Sequence, residues 1–204
     1  AAAGHSLGEF SAHVAAGTFG FEDAVRAVRL RGKFMQEAVP EGRGAMAAIL
    51  GLEPATVEAI CRESAGDEVV SAANFNGGGQ VVVAGHAGAV KRVGERAVAA
   101  GARKVIPLQV SAPFHCALME PARERLAPVL DAIEFRDPGV PVFTNVDASP
   151  VATAAASRGA LLRQVASPVR WEELVRHMAD SGFDTFVEVG PGSAAHRMWA
   201  MRGT

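Results

Sequence analysis

Cysteine is scarce in this sequence, and long apolar runs are missing. Among 204 residues only Cys61 and Cys116 are cysteines, which gives neither a disulfide framework nor a metal-ligand spacing. No apolar stretch approaches the ~20 residues of a membrane-spanning helix, and Ala1 to Ala3 lack the basic start of a signal peptide. The sequence therefore predicts a protein of the reducing cytoplasm without a membrane partner.

An excess of charge of either sign is also missing. Lys and Arg number 20 against 22 for Asp and Glu, which leaves a net charge of −2. Because binding of nucleic acid needs a basic surface that neutralises phosphates, we expect no nucleic-acid partner. The hydrophobic fraction of 49% is typical of a globular protein, and the length fits one large domain or a core with one smaller insert.

The middle of the chain predicts elements in the order β-α-β-β-α-β. Gly77 to Gly79 favour a hairpin turn over a phosphate loop, since no Lys-Ser/Thr pair follows them and no helix starts there. The order is typical of a ferredoxin-like unit, which we interpret as an inserted subdomain. The predicted strands are 45–52, 69–74, 80–84 and 104–110, and the predicted helices are 54–64 and 87–100.

Strands and helices also alternate on both sides of this unit, which favours a parallel α/β sheet. The predicted helices of these flanking parts are 7–16, 21–39, 119–133, 158–165 and 171–181, and the predicted strands are 140–145 and 183–189.

Residues 4–8 read Gly-His-Ser-Leu-Gly, the G-x-S-x-G pattern of a nucleophile elbow. In an elbow, the glycines permit a cramped turn that exposes the serine, here Ser6, at the start of a helix. The helix N-terminus and the next backbone N–H then face a developing oxyanion. The same five residues also suit a glycine-flanked serine that only caps a helix.

A serine nucleophile needs a base, and His115 is the histidine best placed to be one. It follows the predicted strand 104–110 and a turn through Pro113, where α/β folds carry functional groups. The alternative, less favoured here, is a hydrogen-bonded structural histidine. Arg31 projects at the edge of the apolar stripe of helix 21–39, as a snorkelling surface arginine also would. The other histidines are His5, His13, His86, His177 and His196.

Nine segments in family order closely resemble the bacterial malonyl-CoA:acyl carrier protein transacylases. The resemblance runs to Gly192 and implies an α/β-hydrolase-like core of residues 1–43 and 109–204 that carries a ferredoxin-like insert of residues 44–108. The segments are GHSLGE, RLRGKFMQEAVPEG, GAMAAILGL, NFN, GQVVVAGH, VSAPFHCALM, TNVDA, LLRQVASPVRW and EVGPG.

The resemblance implies roles for the reacting groups. Ser6 is then the acyl-accepting nucleophile, and His115 is its general base. The backbone carbonyl of Gln164 orients the histidine, so no Asp is needed, and Leu7 supplies one oxyanion N–H. Arg31 pairs with the free carboxylate of malonyl, for which a planar guanidinium is well suited.

Two further residues line the substrate site by the same resemblance. Asn74 belongs to the NFN segment, and Phe114 fits an unbranched malonyl group, because relatives that take methylmalonyl tend to have a smaller residue there. The implied reaction is ping-pong transfer of malonyl from malonyl-CoA, through a malonyl-Ser6 ester, to the phosphopantetheine thiol of acyl carrier protein in fatty-acid synthesis. It implies no metal and no cofactor of the enzyme itself.

The sequence departs from the family pattern at both ends. The family normally has several tens of residues before the elbow, including a glutamine whose N–H completes the oxyanion hole, so we expect this chain to be N-terminally truncated. After EVGPG the family usually has a lysine and an apolar helix, whereas this chain continues Ser193-Ala-Ala-His-Arg-Met-Trp-Ala-Met-Arg-Gly-Thr204.

Other functions are compatible with the same residues. One is an acyltransferase domain of a polyketide synthase, or a hydrolase built on the same elbow, although a hydrolase has no need for Arg31. Another is an inactive module that only binds the acidic carrier protein. The basic residues that could bind it, or that could simply form a solvated face, are Lys91, Arg92, Arg96, Arg103 and Lys104.

Overall fold

A computed structural model describes residues 1–190 of the protein. Helices and strands alternate along this part of the chain. The strands are β1 (Ala2–Ala3), β2 (Gly44–Leu50), β3 (Val70–Gly77), β4 (Gln80–His86), β5 (Lys104–Pro107), β6 (Val142–Phe143) and β7 (Pro150–Val151). The helices are α1 (Gly8–Ala15), α2 (Phe21–Glu37), α3 (Pro54–Ala65), α4 (Ala87–Ala99), α5 (Glu120–Asp131), α6 (Ala154–Gln164) and α7 (Trp171–Asp180), and a 3₁₀ turn (Ala117–Met119) precedes α5.

Four strands form an antiparallel sheet in the order β3-β4-β2-β5. The hairpin between β3 and β4 turns through Gly77, Gly78 and Gly79, which confirms the predicted turn. All three have positive φ, a conformation that side chains disfavour. The strands and helices predicted for residues 45–110 are thus present in the predicted order. The last of these strands, predicted as 104–110, ends at Pro107.

This sheet buries both of its faces. Alternate residues point to opposite faces of a strand, so Ile49 and Val83 pack against α3 and α4, whereas Met46 and Ala84 pack on the other face with Cys116. The two faces therefore belong to two separate apolar clusters.

The helices outside this sheet enclose a third cluster. Phe10 of α1, Met35 of α2, Leu126 of α5 and Leu161 of α6 are all at most 2% exposed there. Phe114 packs against both this cluster and the second face of the antiparallel sheet. The loop that carries Phe114 therefore joins the two halves of the molecule.

The loop between α6 and α7 also joins the halves. The N–H of Phe75 in β3 donates to the Val169 carbonyl at 2.9 Å, and the Val169 N–H donates to the Ala73 carbonyl at 2.8 Å. These bonds attach the edge strand β3 to residues beside the site described below.

The flanking sheet differs from the prediction. It has the order β1-β6-β7 with two residues in each strand, and only the β1–β6 pair is parallel. The predicted strand 183–189 is wrong for the described residues: none of these seven residues is in a strand, and Val187 and Val189 are 81% and 92% exposed. A strand forms only where a neighbour accepts and donates its backbone hydrogen bonds, and apolar alternation alone does not supply that neighbour.

No helix of residues 1–190 is long and apolar enough to cross a membrane.

Helix α6 begins four residues before its predicted start, because the Thr153 side chain accepts a hydrogen bond from the Ala156 N–H and so caps it.

Candidate active site

The turn between β1 and α1 is a strained elbow. Ser6 has φ of 52°, a left-handed conformation that is costly for a residue other than glycine. A Cβ on Gly4 would lie 2.0 Å from the carbonyl carbon of Gly8, so only glycine fits at position 4. Gly8 itself has open space around its missing Cβ. The two glycines of the motif therefore differ in their steric role. Gly4 is required because the backbone of Gly8 passes so close to it, whereas Gly8 has no such close neighbour.

Ser6 and His115 form a hydrogen-bonded pair. The Ser6 hydroxyl lies 2.6 Å from Nε2 of His115. On its other side, Nδ1–H of His115 donates to the backbone carbonyls of Gln164 at 3.0 Å and Ser167 at 3.2 Å. Two carbonyl acceptors fix the proton on Nδ1, which leaves Nε2 free to accept the serine proton.

The environment keeps His115 neutral. Burial, and then the nearby Arg31 cation, lower the pKa of His115 to about 3. His115 also has positive φ, 60°, so both members of the pair occupy strained backbone positions. Strain of this kind persists only where the surroundings over-determine it, and it concentrates at functional sites.

Arg31 of α2 lies beside the same hydroxyl. Its Nη2–H groups donate to Ser6 Oγ and to Gln164 Oε1, each at 3.1 Å. Arg31 is only 6% exposed, so the interpretation as a snorkelling surface arginine is wrong. Burial lowers its pKa to about 10, against the opposing effect of Glu9, and the guanidinium therefore stays charged at neutral pH.

Asn145, which follows β6, forms two hydrogen bonds with the backbone of the elbow. Its Oδ1 accepts a hydrogen bond from the Ser6 N–H at 2.6 Å, and its Nδ2–H donates to the Gly4 carbonyl at 2.8 Å. One amide thus fixes both peptide groups that flank His5. Sequence reasoning included Asn145 in the TNVDA segment but gave it no role.

Glu9 is the second residue that sequence reasoning missed. It is completely buried, and its Oε2 accepts hydrogen bonds from the Asn145 N–H and from Nε2–H of Gln164, both at 2.8 Å. Gln164 Nε2–H also donates to the Ser6 carbonyl at 3.0 Å. Burial raises the pKa of Glu9 to about 7. An acidic residue in the first turn of a helix is the only sequence signal, and it is typical of exposed helix starts too.

The comparisons with known proteins agree on one family. The family model described as the acyl transferase domain matches residues 1–200. The chain belongs to this family.

The similar proteins in this family are malonyl transacylases. The malonyl CoA-acyl carrier protein transacylase of Escherichia coli K12 is 55% identical over 190 residues, 93% of this chain and 62% of its own length. That of Bacillus subtilis 168 is 48% identical over 191 residues, 93% of this chain and 60% of its own.

The similar solved structures are also those of malonyl transacylases. The malonyl CoA-acyl carrier protein transacylase of Coxiella burnetii superposes with a TM-score of 0.94 at 45% identity, over 96% of this chain and 62% of that one. A malonyl-transacylase solved with a type II polyketide acyl-carrier protein has a TM-score of 0.94 at 50% identity, over 96% and 63%. The α/β fold class is therefore confirmed, and the chain spans about three fifths of the relatives it matches.

The remaining predicted residues of this acyl transferase domain are Leu7, Phe114 and Asn74. Leu7 is the N-cap of α1, and the N–H groups of the next two residues donate to the carbonyls of His5 and Ser6. Phe114 is half-buried between the two clusters described above. Asn74 is buried in β3 and forms a bridge with Val169. Asn76, two residues further along β3, contacts the elbow.

That contact links the two halves of the domain at His5. Nε2–H of His5 donates to Asn76 Oδ1 at 3.0 Å, and its ring lies edge-on to Trp171 with centroids 5.5 Å apart. His5 therefore points away from Ser6, as expected for adjacent residues of an elbow.

The other histidines have structural partners among the described residues. His13 Nδ1 lies 3.1 Å from Thr18 Oγ1, His86 Nδ1 accepts from the Val69 N–H, and His177 Nδ1–H donates to the Ala148 carbonyl. His196 and the tail from Pro191 lie outside the described residues.

The candidate carrier-protein face is largely compensated in charge. Arg92 lies 2.9 Å from a carboxylate oxygen of Glu68, and Arg96 lies 3.1 Å from one of Glu63. Lys91 is 3.9 Å from Glu95. Since three of its five cations already have acidic neighbours, this face is a weak basis for binding an acidic partner.

Within residues 1–190, no group of three or more His, Cys, Asp or Glu side chains could hold a metal ion.

Proposed function

We propose that this chain carries the acyl-transfer site of a malonyl-CoA:acyl carrier protein transacylase of fatty-acid synthesis, working in the cytoplasm without metal or cofactor. The observation that carries the proposal is the position of Ser6 Oγ between two groups: His115 Nε2 at 2.6 Å and Arg31 Nη2 at 3.1 Å. A base and a buried cation on one hydroxyl suit a thioester that ends in a carboxylate. The names of the similar proteins support the same substrate.

The first half-reaction forms an ester on Ser6. His115 Nε2 accepts the hydroxyl proton while Oγ attacks the thioester carbon of malonyl-CoA. The resulting oxyanion faces the N-terminus of α1, where the Leu7 N–H can donate to it. The carbon–sulfur bond then breaks, His115 returns its proton to the leaving thiolate, and coenzyme A departs.

The second half-reaction reverses these steps with another thiol. The phosphopantetheine thiol of acyl carrier protein gives its proton to His115 and attacks the malonyl ester. The carbon–Oγ bond breaks, the proton returns to Ser6, and malonyl leaves as a new thioester. Because His115 is neutral and its Nδ1–H is held by two carbonyls, it can act as base and as acid without an aspartate.

Arg31 supplies the selectivity in this proposal. Its guanidinium lies within hydrogen-bonding distance of Ser6 Oγ. A carboxylate at the far end of a malonyl group can therefore pair with Arg31 while the thioester carbon reaches the nucleophile. Burial strengthens that attraction, because water screens it less. Phe114 closes the site against branched acyl groups, and Asn74 belongs to the wall formed by β3.

We also propose a two-part architecture for this function: an α/β-hydrolase-like core of residues 1–43 and 109–204 and a ferredoxin-like insert of residues 44–108. The β-α-β-β-α-β order and the sheet order β3-β4-β2-β5 support the insert. The elbow between β1 and α1 supports the core.

The test is mass analysis of the complete protein that contains this chain. We expect malonyl-CoA to add one malonyl group to the intact protein, and peptide analysis to locate it on Ser6. The adduct should disappear when acyl carrier protein is added, with little free malonate released. An adduct that persists in Ser6→Ala would refute the assignment, and rapid release of malonate without carrier protein would indicate a hydrolase.

A further inference from the structure

Glu9 is a buried carboxylate next to the nucleophile that the mechanism above does not use. It lies in the first turn of α1, three positions after Ser6, and it is completely buried. A buried acidic group is costly unless it is paired, so its partners indicate what it does. Those partners are Asn145 and Gln164, and through Gln164 it is connected to Arg31.

The hydrogen bonds fix the orientation of the Gln164 amide. Glu9 Oε2 only accepts, so it faces the amide nitrogen of Gln164 at 2.8 Å. The amide oxygen must then face the opposite side, where Arg31 Nη2–H donates to it at 3.1 Å. If the amide were flipped, its NH₂ group would meet the guanidinium, and two donors would face each other. Glu9, together with the Ser6 carbonyl that accepts from the same nitrogen at 3.0 Å, thus keeps the amide oxygen directed towards Arg31.

Gln164 also keeps the two opposite charges apart. Among residues 1–190, Arg31 forms no ion pair with a carboxylate within 4 Å, and its Nε–H is buried without a hydrogen-bond partner. A direct Glu9–Arg31 pair would occupy the guanidinium that a substrate carboxylate needs. The neutral amide between them holds Arg31 in place and leaves its charge available.

We propose that Glu9 is a positioning residue which sets the Arg31 guanidinium through the Gln164 amide, and that it thereby determines the preference for acyl groups with a free carboxylate. The proposal rests on the proposed function, since it concerns the selectivity of the same site. It assigns Glu9 no contact with substrate and no proton transfer.

The experiment compares Glu9→Met with Glu9→Gln in the complete protein. Met removes the acceptor at similar volume, whereas the amide oxygen of Gln can accept from both Asn145 and Gln164. The measurement is the rate of Ser6 acylation by malonyl-CoA and by acetyl-CoA. In Glu9→Met we expect the malonyl-to-acetyl ratio to fall roughly 10- to 100-fold, as for one lost hydrogen bond to a charged group. The fall should come from the malonyl rate, and Glu9→Gln should keep the parent ratio within about threefold.

A second variant tests the spacing of the charges. The exchange Glu9→Gln with Gln164→Glu keeps the net charge and the side-chain sizes but puts the carboxylate directly against Arg31. We expect it to lose the malonyl preference, because the guanidinium is then occupied. The exchange also removes the Nε2–H that donates to the Ser6 carbonyl, so the acylation rate with acetyl-CoA serves as the control for the nucleophile. The variant also answers the question if Glu9→Met does not fold.

Each outcome decides between the proposals. If Glu9→Met and the exchange keep the malonyl-to-acetyl ratio, or if both rates fall equally, Glu9 has only a structural role and the inference is wrong. If the parent protein forms no Ser6 ester with either thioester, the proposed function itself fails. A normal parent with an altered ratio in both variants supports both proposals.

Discussion

The apolar cluster beneath the β2–β5 sheet and the buried network around Ser6 are stabilised by different forces. Beneath the β2–β5 sheet, Ile49, Val57 and Val83 are at most 1% exposed and contact other apolar side chains of their own unit. Around Ser6, the buried groups are polar, and Glu9 and Gln164 are completely buried. Apolar burial has no direction, whereas each polar group here needs a particular partner at a particular angle.

The difference determines how each half responds to substitution. An apolar cluster loses stability in proportion to the volume removed and keeps its arrangement. A buried hydrogen-bond network loses the arrangement itself when one partner is removed, because the other partner is left unsatisfied at a cost of about 1–3 kcal/mol. The predictions below separate these behaviours, beginning with the largest effect.

Gly4→Ala should be severely damaging although it adds only one methyl group. The new Cβ would lie 2.0 Å from backbone atoms of Gly8, which cannot move without breaking the elbow. We expect loss of Ser6 acylation together with a large fall in melting temperature. Gly8→Ala is the matched control, since nothing lies within 4 Å of its Cβ. Equal effects of the two substitutions on the melting temperature would contradict the elbow geometry.

Asn145→Ala should damage stability and acylation together. Removing the amide leaves the Ser6 N–H and the Gly4 carbonyl without their partner, which we expect to cost about 2–3 kcal/mol of unfolding free energy and to slow acylation at least tenfold. Ile49→Ala in the other half should cost about as much, 2–5 kcal/mol, by leaving a cavity. Its acylation rate at 25 °C should stay within about twofold of the parent. Slow acylation in Ile49→Ala would show that the halves are not separate.

The same contrast explains what the sequence could predict. Helices α2 and α4 end within two residues of their predicted bounds, because an amphipathic pattern and its stop signals are local. The Ser6–His115 pair was predicted through a motif and a resemblance. The support beneath it was not: Glu9 and Asn145 are 136 residues apart and meet only in the folded chain. The failed strand 183–189 has the same cause, since a strand depends on a neighbour that its own residues do not encode.

A third prediction concerns His13, a completely buried histidine of α1. Burial lowers its pKa to about 4, so it is neutral when folded and becomes protonated when unfolded below its ordinary value of 6.5. The stability that the neutral form contributes is present above pH 6.5 and is lost as the pH falls towards 4, by about 1 kcal/mol at pH 5.5. When thermal unfolding is measured between pH 7.5 and pH 5, the melting temperature of His13→Gln should therefore fall less steeply with decreasing pH than that of the parent. An equal fall in both proteins would show that His13 does not take up a proton on unfolding.

The smallest predicted effect has the opposite dependence on pH. Burial raises the pKa of Glu9 from 4.5 to about 7, against the hydrogen bonds from Asn145 and Gln164 and the Arg31 cation, which lower it. The nearby Asp147 carboxylate raises this pKa further. The folded protein then binds a proton that the unfolded chain releases, so the contribution of Glu9 to stability is greatest below pH 4.5 and is lost as the pH rises through 7. Glu9→Gln removes the buried charge, and its melting temperature relative to the parent should rise from pH 6.5 to pH 8, by the equivalent of about 1 kcal/mol. A relative melting temperature of Glu9→Gln that falls with pH would mean that the Glu9 anion is stabilised by its polar neighbours, and that this half tolerates buried charge better than its hydrogen bonds indicate.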